Sequence, residues 1–144
     1  MPKSIIAEGF HILEHPADLG IEAWGESFGQ ALRQAIKGLS SVIAEPSTVG
    51  HSGKRAIEID AGDSEQLLVR LLSEVLFCLD AEQFVTADVV FEDVKEQHLR
   101  GFLLGENFQA EKHVMKLDVK AITYHELSIT QRDNRVTLRI FVDI

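Results

Sequence analysis

The sequence has little of several features that would define a function at once. It contains one cysteine, Cys78, so neither an internal disulfide nor a cysteine-based zinc site is expected. No run of 18 apolar residues and no signal-like start is visible, which predicts a cytoplasmic protein without a membrane span. The GxxxxGK[ST] phosphate loop, the GxSxG nucleophile elbow and the HExxH zinc motif are also missing. A stand-alone nucleotidyl transferase or protease is therefore poorly supported.

Basic residues are in the minority. The chain has 14 Lys and Arg against 23 Asp and Glu, a net charge of −9. Because nucleic-acid binding relies on Lys and Arg to displace condensed counterions, we expect no strong direct binding to RNA or DNA. An acidic surface suits cations or a basic protein partner. It also serves many cytosolic proteins simply as a source of solubility.

What the chain does have is enough apolar sequence for one core. Its 144 residues are 45% hydrophobic, which predicts a single domain over residues 1–144. Two segments place apolar residues on one helical face, Phe28 to Ile43 and Ser64 to Leu79. Each begins with a capping pair: Ser27 with Gln30, and Asp63 with Gln66.

The remaining sequence is typical of strands, because it alternates apolar with polar residues or is rich in branched and aromatic types. The predicted strands are Ile5–Leu13, Leu19–Ala23, Ala56–Ile59, Phe84–Val94, Leu99–Leu104, Met115–Ala121, and a hairpin that turns at Arg132 to Asn134. These elements predict an α+β fold, a mixed and mostly antiparallel sheet with two amphipathic helices packed on one face.

Two aspartates are the first candidates for chemistry. Asp143 follows the last apolar position of the final strand and precedes Ile144, whose carboxylate would crowd it unless a cation intervened. A solvated strand end explains Asp143 equally well. Asp18 follows His15 and Pro16 between two strands, where it is either a plain turn residue or a hard oxygen ligand for calcium or magnesium. His15 is a candidate nitrogen ligand, although a structural role is the simpler interpretation.

The stretch from Lys116 to His125 is the second candidate. Lys116, Asp118 and Lys120 would share one strand face, and Thr123, Tyr124 and His125 would follow as three polar tips. A solvated sheet face accounts for this pattern, and so does a contact with a loop or a partner.

Three separated motifs resemble those of the archease family. Leu13-Glu14-His15-Pro16-Ala17-Asp18-Leu19-Gly20-Ile21 is similar to the E-H-T-A-D-x-G-I opening, with Pro16 in place of the usual threonine. Val119 to His125 resembles the K-A-[IV]-T-Y-H signature, and Phe141 to Ile144 resembles the family's terminus. Weaker similarity lies in Leu104-Gly105-Glu106 and His113. The order and the length also match the family over nearly the whole chain.

The resemblance implies a function that the residues alone do not give. Archeases assist an RtcB-type RNA ligase in tRNA splicing and RNA repair, promoting its guanylylation and multiple turnover without a catalytic motif of their own. By resemblance, Asp18, Asp143 and Ile144 would bind a divalent cation, calcium being expected and magnesium or manganese being alternatives. His15, Lys120 and His125 would hydrogen-bond those ligands or contact the ligase. The rival hypotheses are a metal-dependent hydrolase of nucleotides or RNA ends, and a chaperone-like interaction module.

Overall fold

The computed structural model describes residues 7–14 and 18–144, which contain two α-helices, a short 3₁₀ helix and eight strands. In chain order these are β1 (Gly9–Glu14), β2 (Leu19–Gly25), α1 (Phe28–Ile43), the 3₁₀ helix Pro46–Thr48, β3 (Gly53–Asp60), α2 (Ser64–Glu82), β4 (Phe84–Val94), β5 (His98–Asn107), β6 (Ala121–Ile122), β7 (Ser128–Arg132) and β8 (Arg135–Asp143).

The two helices begin where their capping residues predicted. The side chain of Ser27 accepts a hydrogen bond from Gln30 N, and that of Asp63 accepts one from Gln66 N. Helix α1 matches its prediction at both ends, whereas α2 runs three residues further, to Glu82. It stops because Gln83 takes a left-handed conformation, φ 55°, and its N–H closes onto Cys78 O and Leu79 O.

The α+β fold class is confirmed, and every described strand pairing is antiparallel. The strands form two sheets, a partition that the hydrophobic pattern did not predict. The first sheet has the order β1-β2-β8-β6, with β7 also paired to β8. The second has the order β3-β5-β4. Periodicity reveals which face of a strand is buried, but it carries no information about which strand is the neighbour.

The core lies where the helices meet the sheets. Helix α1 packs against β1, β2 and β8 of the first sheet and also against β4 of the second, so it joins the two. Its inner face is buried completely at five apolar positions: Ala31, Leu32, Ala35, Ile36 and Leu39. Burying each larger side chain stabilises the fold by roughly 1.5–3 kcal/mol. Neither helix in the described ranges is both long enough and apolar enough to cross a membrane.

The predicted strand Met115–Ala121 was wrong over most of its length. Only Ala121 belongs to a regular strand, and Met115 makes a single bridge to Ala44. The segment instead runs past the C-terminal turn of α1, where Lys116 N and Leu117 N donate hydrogen bonds to Ile43 O and Val42 O. The last carbonyls of a helix lack partners within the helix, and this segment supplies them. Leu117 is consequently exposed, while Val119 is buried.

An acidic corner at the ends of two neighbouring strands

The first and last predicted motifs meet in the first sheet. Strand β2 pairs antiparallel with β8, and Leu19 lies opposite Val142. Asp18 immediately precedes Leu19 and Asp143 immediately follows Val142, so the next positions along both strands hold the two aspartates. Residues far apart in the sequence are thereby brought to one end of the sheet. We call Asp18, Asp143 and Ile144 the acidic corner.

The two aspartates also share a face of the sheet. Side chains alternate along a strand, so Asp18 has the parity of Gly20, and Asp143 has the parity of Phe141. Gly20 and Phe141 lie directly opposite each other, on the face away from the buried pair Ile21 and Ile140. A Cβ atom on Gly20 would lie 2.8 Å from Phe141 Cε2, so only glycine leaves room for this ring. The Phe141 side chain is 2% exposed, which fixes the strand that carries Asp143.

A third motif is attached to the same strand. Ala121 of β6 lies opposite Asp143, and Lys120 N donates a hydrogen bond to Asp143 O at 2.8 Å. Thr123 donates to Phe141 O from both its backbone N and its Oγ1, each at 3.0 Å. These bonds pin the segment Lys120–Thr123 beside the acidic corner. The Thr123 hydroxyl, which the sequence suggested for a loop or partner contact, therefore hydrogen-bonds to the backbone of β8.

His125 lies close to the same corner but points towards solvent. Its ring is 6.2 Å from that of Phe141 in an edge-on arrangement, and its Nε2 is 3.0 Å from Glu126 Oε2. The side chain is 66% exposed, and neighbouring Tyr124 is exposed as well. Both side chains are therefore available to a partner protein.

The predicted site residues that fall within residues 7–14 and 18–144 thus gather at one end of the first sheet. Asp18 is half-buried, and its Oδ1 is buried, whereas Asp143 and Ile144 are exposed. Lys120 is held in place by the hydrogen bond from its backbone N–H to Asp143 O, and the His125 ring lies beside that of Phe141. His15 falls outside residues 7–14 and 18–144. Within those ranges, no group of three or more His, Cys, Asp or Glu side chains is placed to hold a metal ion.

A charged row continues the face of the acidic corner along the sheet. Glu22 lies between His11 and Arg139 on the neighbouring strands, with His11 Nε2 at 2.9 Å and Arg139 Nη2 at 2.8 Å from its two oxygens. The hydrogen bond from Arg139 lowers the pKa of Glu22 and outweighs the effect of its partial burial. Two residues further along β2, the guanidinium of Arg135 lies 5.0 Å from the centre of the Trp24 ring. Charged groups therefore cover this face beyond the acidic corner.

The weakly matching Glu106 and His113 form a second polar cluster. Glu106 Oε1 accepts hydrogen bonds from Gly50 N at 2.7 Å and from His113 Nε2 at 2.8 Å, and it pairs with Lys112 Nζ at 2.7 Å. Gln109 N donates to His113 Nδ1, so the ring proton must be on Nε2. The bonds from Lys112, Gly50 and His113 lower the pKa of Glu106 to about 2. The cluster ties the end of β5 to the segment that leads to Lys120.

Comparisons with known proteins agree with the motifs. A sequence profile of the Archease protein family (MTH1598/TM1083) matches residues 10–144. The chain is 35% identical to the protein archease of Sulfolobus acidocaldarius over 136 residues, covering 94% of this chain and 98% of that one. It is 36% identical to the protein archease of Pyrococcus furiosus over 135 residues, covering 91% and 95%.

Solved structures give the same fold. The solution structure of Methanobacterium thermoautotrophicum protein 1598 superposes with a TM-score of 0.78 at 29% identity, covering 94% of this chain and 99% of that one. The crystal structure of a Thermotoga maritima archease, described as a possible chaperone, gives a TM-score of 0.66 at 15% identity and covers 100% and 98%. The second likeness concerns the fold alone. By profile, by sequence identity and by fold, the chain belongs to the archease family.

Proposed function

We propose that this protein activates an RtcB-type RNA ligase, promoting its guanylylation and its multiple turnover in tRNA splicing and RNA repair. One observation carries the proposal: the pairing of β2 with β8 sets Asp18 beside Asp143, with the Lys120–His125 motif attached to the same strand. Family membership supplies the reaction. Three sequence-distant motifs at one end of a sheet have the arrangement expected of a shared functional surface.

The donor set at the acidic corner suits a divalent cation. The carboxylates of Asp18 and Asp143 and the main-chain oxygens of Ile144 are hard oxygen ligands, which calcium, magnesium and manganese prefer. Among the residues that the structure describes, the Asp143 side chain makes no ion pair with a lysine or arginine. A cation held at the acidic corner would neutralise negative charge on a phosphate that binds beside it.

The protein's own residues have separable tasks in this proposal. Asp18 is half-buried at the start of β2 and serves as the fixed side of the corner. Asp143 and Ile144 are exposed and face the ligase. Lys120 adds a positive charge at the rim for contact with a phosphate, and His125 and Tyr124 extend the surface that the partner covers.

The functional test measures ligase turnover. An RtcB-type ligase is mixed with excess RNA ends, GTP and a substoichiometric amount of this protein, either wild type or Asp143→Asn. We expect wild type to convert a single turnover into many and the variant to lose at least tenfold of that stimulation. The matched control is Asp133→Asn, which removes the same charge from the turn before β8, at the other end of a strand roughly 27 Å long. A left-handed φ of 54° at position 133 also suits Asn.

The rivals predict different results in the same assays. A chaperone-like module would stimulate the ligase with Asp143→Asn as well as with wild type, and that result would refute a role for the acidic corner. Hydrolysis of a nucleotide or an RNA end by the purified protein alone would favour the hydrolase.

Cation binding is tested separately by melting temperature. A ligand at 100 times its dissociation constant stabilises the native state by about 2.7 kcal/mol, which raises the melting temperature of a domain this size by roughly 5–10 °C. Calcium should produce this shift with wild type and with Asp133→Asn but not with Asp18→Asn. Equal shifts for all three proteins would place any bound cation elsewhere.

A further inference from the structure

Strand β3 forms one edge of the second sheet, and its outer side is unpaired. It comes first in the order β3-β5-β4, and within the described ranges it pairs only with β5. An edge strand presents a row of backbone N–H and C=O groups that another strand can bind. β3 is 8 residues long, contains no proline and follows β5 without a register shift, so this row is regular.

The register identifies the backbone groups that face outwards. Ala61 N donates to Gln97 O, and these two residues extend the pairing of β3 with β5 by one position. In an antiparallel pair, positions bonded to the neighbouring strand alternate with positions whose N–H and C=O point the other way. The odd-numbered residues of β3 therefore bond to β5, as Ala61 does. The even-numbered residues face outwards, and we call the first three of them the free edge: Lys54, Ala56 and Glu58.

Only the two ends of this row are occupied. At one end the Arg70 guanidinium donates to Asp60 O, and at the other Arg55 Nη1 donates to Lys54 O at 3.2 Å. Between them, the outward groups of the free edge make no hydrogen bond to any residue that the structure describes. The free edge is thus open to a second strand, whereas Asp60 O already has its partner.

The charges of β3 complement a second copy of the same strand. Two copies in antiparallel orientation, with Ala56 opposite Ala56, place Lys54 of each copy opposite Glu58 of the other on the exposed face of the sheet. In the single chain Lys54 forms no ion pair within the described residues, and its ammonium lies 4.6 Å from the centre of the Phe102 ring. Glu58 is paired only with His98, at 3.7 Å. Both side chains therefore gain a partner of opposite charge in this register.

An exposed aromatic ring lies next to the free edge. Phe77 on α2 is 55% exposed, and it lines a groove of about 400 Å³ together with Glu58 and Ile59 of β3. A strand added to β3 would run along this groove and remove part of the ring from water. Because burial of apolar surface favours association, Phe77 adds to the hydrogen bonds and the charge pairs.

We propose that two copies of this chain associate through their β3 strands about a twofold axis, so that their second sheets join into one antiparallel sheet. A second copy fits because it carries the charge order of β3 in reverse, whereas an uncharged strand would leave Lys54 and Glu58 without partners. Assembly stops at two copies, since the other edge strand, β4, has two register irregularities that disfavour pairing. The interface contains no residue of the acidic corner, and the proposal does not depend on the ligase.

The test measures self-association of the full chain by analytical ultracentrifugation up to millimolar concentration. We expect a monomer–dimer equilibrium for wild type. Lys54→Glu and Glu58→Lys each turn two attractive pairs into repulsive ones, one on either side of the axis, and each should weaken the dimer about tenfold. The double variant Lys54→Glu/Glu58→Lys restores opposite charges in both pairs and should recover most of the affinity. Arg132→Glu, at the end of β7, makes the same change in net charge as Lys54→Glu and should leave the equilibrium unchanged.

Amide hydrogen exchange locates the interface. At the same millimolar concentration, the N–H of Ala56 should exchange about tenfold more slowly in wild type than in Lys54→Glu, because only the dimer gives it an acceptor. The N–H of Ala61, bonded to Gln97 O within each copy, should exchange alike in the two proteins. Four results would overturn the proposal: a wild type that stays monomeric, single reversals that leave association unchanged, a double variant as weak as the single ones, or an Ala56 N–H that exchanges equally fast in both proteins.

Discussion

Gly20 lies under the Phe141 ring, and its replacement tests the packing that holds the acidic corner. A Cβ at position 20 would lie 2.8 Å from Phe141 Cε2 and 3.1 Å from both Leu13 Cβ and Phe141 Cδ2. Carbon atoms in good contact are 3.5–4.0 Å apart, so the ring must move by roughly 1 Å. With 2% exposure it has little space to do so. Overpacking of this kind lowers the free energy of unfolding by about 1–3 kcal/mol. The lower conformational entropy of the unfolded Gly20→Ala chain offsets less than about 1 kcal/mol of this loss.

The assay is urea unfolding of four proteins: wild type, Gly20→Ala, Phe141→Leu and the double variant. We expect each single variant to lower the free energy of unfolding by about 1–2 kcal/mol. The double variant should lose less than the sum, by at least 0.5 kcal/mol, because the smaller side chain admits the new methyl group. Gly62→Ala is the control, since a Cβ there meets only Gln66 Oε1, at 3.4 Å. Additive losses, or a Gly20→Ala protein as stable as wild type, would refute the packing argument.

Three further predictions follow from particular contacts. The pKa of Glu106 is about 2 in the folded protein against an ordinary 4.5, so its stabilising contribution is complete above about pH 5 and is lost as the pH falls towards 2. The difference in unfolding free energy between wild type and Glu106→Gln, measured by urea unfolding, should therefore shrink over that range. A difference that stays constant with pH would contradict the stabilising role of the Glu106 cluster. Asp63→Ala removes the cap of α2 and should cost about 1 kcal/mol, whereas Asp63→Asn should cost much less; thermal unfolding would show equal losses if the cap were irrelevant. Asn134→Val forces a branched residue to φ 63° and should destabilise the hairpin by about 1–2 kcal/mol, whereas Asn134→Gly should be tolerated. Similar melting temperatures for the two variants would count against a strained turn.

The helices could be predicted because their signals are local. Apolar spacing and the capping pairs predicted α1 at both ends and the start of α2. The end of α2 could not be placed, because it depends on the left-handed conformation of Gln83, which no neighbouring glycine announces. The hairpin of β7 and β8 is equally local, and the left-handed residues Asp133 and Asn134 form its turn as the sequence indicated.

The segment Met115–Ala121 shows why alternation alone is insufficient. Its apolar residues alternate as in a strand, yet its backbone donors are used by the free carbonyls at the end of α1. That use depends on tertiary placement, which the local pattern does not contain. Sheet partition is non-local for the same reason, since Leu19 and Val142 must be known as neighbours before the aspartates beside them can be brought together.

The candidate site was predictable from motifs and not from local chemistry. Asp18 on its own is an ordinary turn residue, and Asp143 on its own is an ordinary strand end. They become a candidate site only when they lie side by side, and the register of β2 on β8 brings them together.

The central claim, that the acidic corner acts on the ligase, is tested most directly by the initial rate of ligase guanylylation. An RtcB-type ligase would be incubated with labelled GTP and calcium or manganese, and covalent guanylylated ligase would be measured over the first minutes. We predict that wild type and Asp133→Asn accelerate this step equally, and that Asp18→Asn and Asp143→Asn, shown to be folded by circular dichroism, lose the acceleration. Full acceleration by either corner variant would contradict the account.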